Sequence, residues 1–234
     1  MPIAGYFALT AAEYQAAPPV SPVAWMACHF SPYGTGLSNL PDVLPPGSLL
    51  MLNDRTPIQG HDPERIAAQL EAFWERQPCR GLVLDFQRPG CGESQALAAF
   101  LCRSCSVPVA VSSLYAQELD CPVFLPPVPL DVPAETWLAP WQGREIWLDL
   151  ALEAQKLTLT ATGLTTSPAV PLPAGFREDA LHCHYAIAPG DQQVDFTLWR
   201  TREDADSLLA AVEPLGVTTW VGLYQEFFGS SSDG

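Results

Sequence analysis

Gly81-Leu82-Val83-Leu84-Asp85-Phe86-Gln87-Arg88-Pro89 is the stretch on which the fold turns. Its first four residues are small or apolar without interruption, the pattern of a strand covered on both faces, as in a parallel sheet. The run then gives way to a carboxylate, an aromatic, an amide and a proline, so the strand is expected to emerge at Asp85. In parallel α/β folds that C-terminal edge is where ligands bind. Asp85 and Gln87 are therefore the first site candidates.

Working outward, Leu49 to Leu52 is a second buried run that ends in polar residues, Asn53-Asp54. Between the two, Asp62-Pro63-Glu64 supplies an N-cap and a proline at the first helical position. Ile66, Leu70, Phe73 and Trp74 then keep a helical spacing to about Arg76. The same alternation recurs along the chain. Strands are expected at Ile3 to Leu9, Val23 to Phe30, Val107 to Val111, Cys121 to Leu125, Glu145 to Leu150, Leu181 to Ile187 and Val217 to Leu223. Helices are expected at about Glu93 to Cys102, for a turn or two over Glu135 to Trp141, and over Thr201 to Glu213. Lys156 to Thr162 alternates with period two and reads as half of an exposed β-hairpin, inserted near residues 145–162.

Short buried strands separated by helices imply right-handed crossovers and a parallel sheet, and eight or nine of them in 234 residues imply closure into a (β/α)8, TIM-barrel-like α/β fold. An open doubly wound sheet is disfavoured by the lack of a glycine-rich phosphate loop. The expectation is one domain over residues 1–228 with a flexible tail at 229–234.

Composition narrows the function classes. Hydrophobic residues make up 48% and charged residues 16%, which excludes a disordered chain. The net charge is −15, with Lys156 the one lysine, so nucleic acid and anionic membrane surfaces are excluded as expected partners. The first residues, Met1 to Thr10, carry no basic group, so export by a standard signal is not expected, and no apolar run reaches membrane-span length. Seven cysteines, an odd number lying largely in apolar runs, point to free thiols in a reducing, cytoplasmic setting. Cys102-x-x-Cys105 lies near a helix end with no second pair and reads as packing rather than as a metal or redox motif.

The strand at 49–52, the helix from Pro63 and the stretch Gly81 to Pro89 together resemble the chitinase-like glycoside hydrolases of family 18. Their signature strand reads Asp-x-x-Asp-x-Asp-x-Glu. Aligned on Pro89, Asp85 takes the last aspartate position, while the two earlier aspartates fall on Val83 and Arg80 and the catalytic glutamate on Gln87. Trp220 in Val217-Thr-Thr-Trp-Val-Gly is similar to the tryptophan on the floor of the family's sugar site. The resemblance implies a sugar-binding barrel whose usual general acid is missing. Glutamine cannot protonate a glycosidic oxygen, and losing that step costs about 10²–10⁴-fold in rate.

The expected function is accordingly carbohydrate or similar polar-ligand binding at the strand mouth. Asp85 and Gln87 hold the degenerate signature positions, and Trp25, Asn53, Asp54, Tyr115, Asp149, Tyr185, Trp220 and Tyr224 are ligand candidates, with Tyr33 a further aromatic near a strand end. No cofactor is expected. Three alternatives stay open. Glycoside hydrolysis needs only two carboxyls about 5–9 Å apart, and Asp85 has Asp54, Asp149 and Glu226 as possible partners. A metal-dependent hydrolase would use His182 and His184 with Asp85 and His29 or His61. A structural or protein-interaction role would use the hairpin around Lys156 and the proline-rich loops.

Overall fold

In this computed structural model, residues 2–16, 21–32, 34 and 36–229 are described. Tyr33 and residues 230–234, nearly all of the expected tail, lie outside them. The chain begins with β1 (Ala4–Leu9), α1 (Ala11–Ala16), β2 (Ala24–Phe30), the short β3 (Leu37–Ser38), β4 (Leu49–Asn53), α2 (Pro63–Trp74) and β5 (Gly81–Asp85). It continues through α3 (Gly92–Ser104), β6 (Val109–Ser112), β7 (Val123–Leu125), α4 (Ala134–Leu138) and β8 (Ile146–Asp149). An antiparallel sheet follows, made of β9 (Ala154–Thr160), β10 (Gly163–Pro168), β11 (Phe176–Glu178), β12 (Cys183–Pro189) and β13 (Gln193–Trp199). The chain then closes with α5 (Arg202–Val212), β14 (Val217–Leu223) and α6 (Tyr224–Phe228).

Eight parallel strands run in the order β1-β14-β8-β7-β6-β5-β4-β2, and a β1–β2 pairing closes the ring. Both candidate N-terminal segments are barrel strands, with β1 the first. The short β3 adds antiparallel to the rim of β2. α2 starts where its sequence predicts, with the Asp62 carboxylate accepting from Glu64 N at 3.0 Å.

Alternation along each strand divides the core in two. Tyr6, Leu49, Met51, Val83, Ala110, Phe124, Trp147 and Val221 fill the barrel. Their neighbours in sequence, such as Leu50, Leu52, Leu82, Leu84 and Leu148, pack outward against Ile66, Leu70, Leu97 and Leu101 of α2 and α3. With both faces buried, every strand position favours an apolar residue, which is why β5 reads as a continuous run. Gly81 leaves room for the largest plug: a Cβ there would lie 2.7 Å from Trp147 Cη2 and 2.9 Å from Pro108 O.

The inserted hairpin is β9–β10, but it belongs to a five-stranded sheet of order β10-β9-β13-β12-β11 lying between barrel strands β8 and β14. Leu181 to Ile187, expected among the parallel strands, corresponds to β12 of this sheet. Arg200, 2% exposed, ties the sheet to the barrel, donating from Nε to His182 O and from Nη1 to Val128 O, each at 3.2 Å. Leu130, Cys183 and Leu198 form a small apolar core beneath it.

Candidate functional site

Several polar strand ends lie near one another at the C-terminal side of the barrel. Asn53 and Asp85 are partners in register on β4 and β5, the last residues of their strands. A register shift in β2 between Trp25 and Cys28 turns His29 to the same side, where Asn53 Nδ2 donates to His29 Nδ1 at 3.2 Å. Gln87 folds back over the strand end and donates from Nε2 to both Asp85 oxygens at 3.1 Å. Asp54 has a different task. At 3% exposure it accepts from Gln87 N at 2.9 Å and Arg88 N at 3.0 Å, clamping the β5 exit to the β4 exit.

Across the mouth, Asp149 ends β8. Asp85, Gln87, Ser112, Phe124 and Asp149 line one cleft of about 320 Å³, walled by Leu114, Pro126 and Pro127. Ser112 is fixed by donating to Phe86 O at 2.7 Å. Burial, then the nearby carboxylates of Asp85, Glu226 and Glu153, push Asp149 up to about 7. Burial also raises Asp85, with Asp54 adding to the rise and the Gln87 amide opposing it. Glu226 is engaged at the rim, where it accepts from Leu152 N at 2.9 Å.

The aromatic candidates do not join this cleft. Trp220 lies on the outer surface, edge-on to Phe7 with ring centroids 5.3 Å apart, in the space left open by Gly5. The cause is a register shift between Val217 and Thr219. Val217 packs outward and Val221 inward although they are four residues apart, so the irregularity reverses the alternation and turns Trp220 away from the barrel. Trp25 also faces outward and donates to Asn39 O at 2.9 Å beside Tyr14. Tyr115 is buried and anchors the β5 exit loop, its hydroxyl donating to Arg88 O and accepting from Cys91 N. Tyr224 stacks on Phe228 in α6, and Tyr185 lies on the inserted sheet beside Phe176.

The histidine pair is also elsewhere. His182 Nδ1 lies 3.0 Å from Ser207 Oγ, and His184 Nδ1 lies 2.8 Å from Asp204 Oδ2, so both rings serve the contact between the sheet and α5. His61 Nδ1 is engaged with Ile58 O at 2.9 Å. Among the described residues, no three His, Cys, Asp or Glu side chains group as a metal site requires. No helix among those residues is long and apolar enough to cross a membrane.

Sequence reasoning missed Ser112, Phe124, Leu114, Pro126 and Pro127. The signal was available: Ser112 follows the expected strand 107–111, and Phe124 has the inward parity of β7.

No protein-family model matches the sequence, and no curated protein matches it. Solved structures do. The chitinase-like agglutinin RobpsCRA from Robinia pseudoacacia superposes with a TM-score of 0.61 at 11% identity over 95% of each chain. The chain has a chitinase-like fold. A chitinase from Chromobacterium violaceum ATCC 12472 superposes with a TM-score of 0.53 at 12% identity, over 97% of this chain and 95% of that one. The Bacillus cereus spore cortex-lytic enzyme SleL gives 0.54 at 10% identity, over 94% of this chain and 70% of that one. The distant chitinase-like resemblance on which Asp85 and Gln87 were aligned agrees with these neighbours.

Proposed function

We propose that this chitinase-like barrel binds a carbohydrate or a similar hydroxyl-rich ligand in the cleft between β5 and β8, without the general acid that position 87 would supply. The observation that carries this reading is the shared cleft: two carboxylates, an amide and a hydroxyl face a wall of Phe124, Leu114, Pro126 and Pro127. Polar groups that fix orientation beside an apolar wall are the general composition of a small-molecule site. Gln87 donates an N–H where a glutamic acid would release a proton. It supports Asp85 as a hydrogen-bond acceptor for a sugar hydroxyl rather than as part of an acid pair.

One observation favours a second reading, hydrolysis by other acids. Asp149, pushed up to about 7, holds a proton at near-neutral pH beside Asp85, and carboxyls in unlike environments can divide acid and base roles.

Titrating the purified protein with chitooligosaccharides in a calorimeter, and following product release by mass spectrometry, separates the readings. Heat without products supports binding. Products that vanish in Asp149→Asn support hydrolysis. Silence in both measurements overturns the carbohydrate reading.

A further inference from the structure

The exit of β5 has two sides. Asp85 and Gln87 line the cleft shared with β8, while a separate cavity of about 170 Å³ lies between the β4 exit and the first turn of α3. The two share no lining residue. Arg88, Cys91, Glu93 and Ser94 bound the smaller one on the β5–α3 side, with Asp54 and Ile58 opposite. A cavity of this size suits an ion or one small group rather than a nucleotide.

The walls present donors that lack acceptors. Cys91, the N-cap of α3, makes no side-chain cap bond. The first helical hydrogen bond runs from Gln95 N to Cys91 O at 3.1 Å, so the N–H groups of Gly92, Glu93 and Ser94 have no acceptor within α3. A Cβ at Gly92 would meet nothing within 4 Å, which leaves this first turn open to an approaching ligand. Ser94 is an independent sign of a missing partner. It is wholly buried, it lines the cavity, and its Oγ has no hydrogen-bond partner among the described residues. Buried hydroxyls in that state are rare and costly. Arg88 adds a positive charge on a fixed backbone: Arg88 N donates to Asp54 Oδ2 at 3.0 Å, and Arg88 O accepts from the Tyr115 hydroxyl.

We propose that this cavity binds a phosphate group that retains a proton, held by the first-turn N–H groups of α3, the Ser94 hydroxyl and the Arg88 guanidinium. Helix N-termini take oxyanions because their unpaired N–H groups and the helix dipole favour negative charge. The two carboxylates in the walls decide which oxyanion. Asp54 is occupied, since its oxygens accept Gln87 N at 2.9 Å and Arg88 N at 3.0 Å. Glu93 is exposed, and its Oε2 accepts from the Cys91 thiol at 3.4 Å. It would repel an oxyanion without a proton, whereas a protonated phosphate offers it an O–H donor in place of that thiol. Sulfate has no proton to offer near neutral pH. The loop itself, Arg88-Pro-Gly-Cys-Gly-Glu-Ser94, has neither nucleotide-loop spacing, in keeping with one phosphate rather than a polyphosphate.

The test is calorimetric titration of the folded protein with inorganic phosphate, glycerol phosphate and sulfate at matched ionic strength and about pH 6, where a phosphate monoester still keeps its proton on roughly half of its molecules. One saturable phosphate site is expected, binding phosphate at least about tenfold more tightly than sulfate, because Glu93 gains a hydrogen bond from the one and meets only charge on the other. Ser94→Ala and Arg88→Gln should each weaken phosphate at least about fivefold. Without ligand, Ser94→Ala should melt no lower than the wild type, since it removes an unpaired hydroxyl, so its loss of binding is not a loss of fold. Glu93→Gln supplies a donor to either ion and should bring sulfate to within about twofold of phosphate. Glycerol phosphate bound as tightly as the free ion assigns the site to a phosphorylated ligand, and its exclusion assigns the site to the ion itself; both support the proposal. No saturable phosphate heat, sulfate bound as tightly as phosphate by the wild type, or undiminished phosphate binding in Ser94→Ala each overturns it.

Discussion

The barrel and the inserted sheet bury their side chains in different ways, and the contrast decides where chemistry sits. Each barrel strand is covered on both faces, by the plug of Tyr6, Val83, Phe124 and Trp147 inside and by the helices outside. The inserted sheet is apolar on one face and polar on the other. Leu157 pairs with Phe196 and Tyr185 with Phe176 on the first, while Lys156 pairs with Thr197 and Thr158 with Asp195 on the second. Its apolar face is only partly covered, since Leu159, Leu164, Phe176 and Ile187 are exposed. A ring closed by β1–β2 pairing holds its strand ends in fixed register, which allows Asn53, Asp85 and Asp149 to be set around one mouth. Among the described residues the five-stranded sheet has two open edges, β10 and β11, and it is tied to the barrel through Arg200 and α5.

Removing a plug residue tests the barrel half of this contrast and should have the largest effect. Trp147 is 1% exposed, and its indole N–H donates to Glu145 Oε1 at 2.9 Å. Trp147→Ala is expected to cost about 3–5 kcal/mol in urea unfolding, because the lost contacts and the void both count. Phe176→Ala removes another large aromatic, one that is 68% exposed, and should cost under about 1 kcal/mol. Equal costs for the two variants would show that the sheet is packed as tightly as the ring.

The attachment of the sheet comes next. Asp204 is wholly buried; it caps α5 in a reciprocal pair with Thr201 and meets His184 at 2.8 Å. Burial alone would raise its carboxyl, but the bonds from Thr201 and His184 outweigh that and hold it below its ordinary range. Its folded value is therefore the lower one, so its contribution to stability is present above about pH 4 and is lost as pH falls below that. Asp204→Ala is expected to cost about 2–4 kcal/mol at pH 7. Hydrogen exchange should accelerate in β12, β13 and α5 while β4 and β5 stay protected. Loss of protection throughout would mean that sheet and barrel unfold as one unit.

The same contrast explains what was legible in the sequence. Asp85, Asn53 and Asp149 could be read as rim residues because doubly buried strands announce their ends: an apolar run stops and a polar residue follows. Trp220 and His29 could not be placed, because a shift of a single position in β14 and in β2 reverses which face a side chain takes, and bulges leave no clear compositional mark. Lys156 to Thr162 showed its exposed hairpin through period-two alternation. The full five-stranded extent stayed hidden, since Phe176–Glu178 is too short to show any period. Trp25 and Tyr115 are candidates because they are aromatic and lie at or near expected strand ends, but sequence does not show which way a ring turns, and both rings are buried.

Titration of the mouth sharpens the comparison from the barrel side, with a smaller effect. Asp149 has a folded value of about 7, above the ordinary carboxyl value. The folded protein thus retains a proton that the unfolded chain releases, and the stability tied to that proton is lost as pH rises from about 4 through about 7. Asp149→Asn keeps the shape without the charge. It should match wild type near pH 4 and exceed it by about 1–3 kcal/mol at pH 8. Thermal unfolding of both proteins across that range is the measurement, and a gap that does not grow with pH would mean Asp149 ionises freely in the mouth.

The smallest expected effect falls on the edge of the inserted sheet. Leu164 of β10 is 56% exposed and sits opposite Leu159, which is itself 46% exposed, at the end of the apolar face farthest from the Leu130–Cys183–Leu198 core. A side chain that already meets water on most of its surface has little transfer free energy to lose, and threonine suits an exposed strand position. Leu164→Thr should therefore shift stability by no more than about 0.5 kcal/mol and leave any calorimetric heat with chitooligosaccharides unchanged, since β10 contributes nothing to the cleft. A cost well above 1 kcal/mol that rises with protein concentration would show the apolar face covered in solution by a second copy. The sheet would then be as fully buried as the barrel, and the contrast between the two would hold only for the isolated chain.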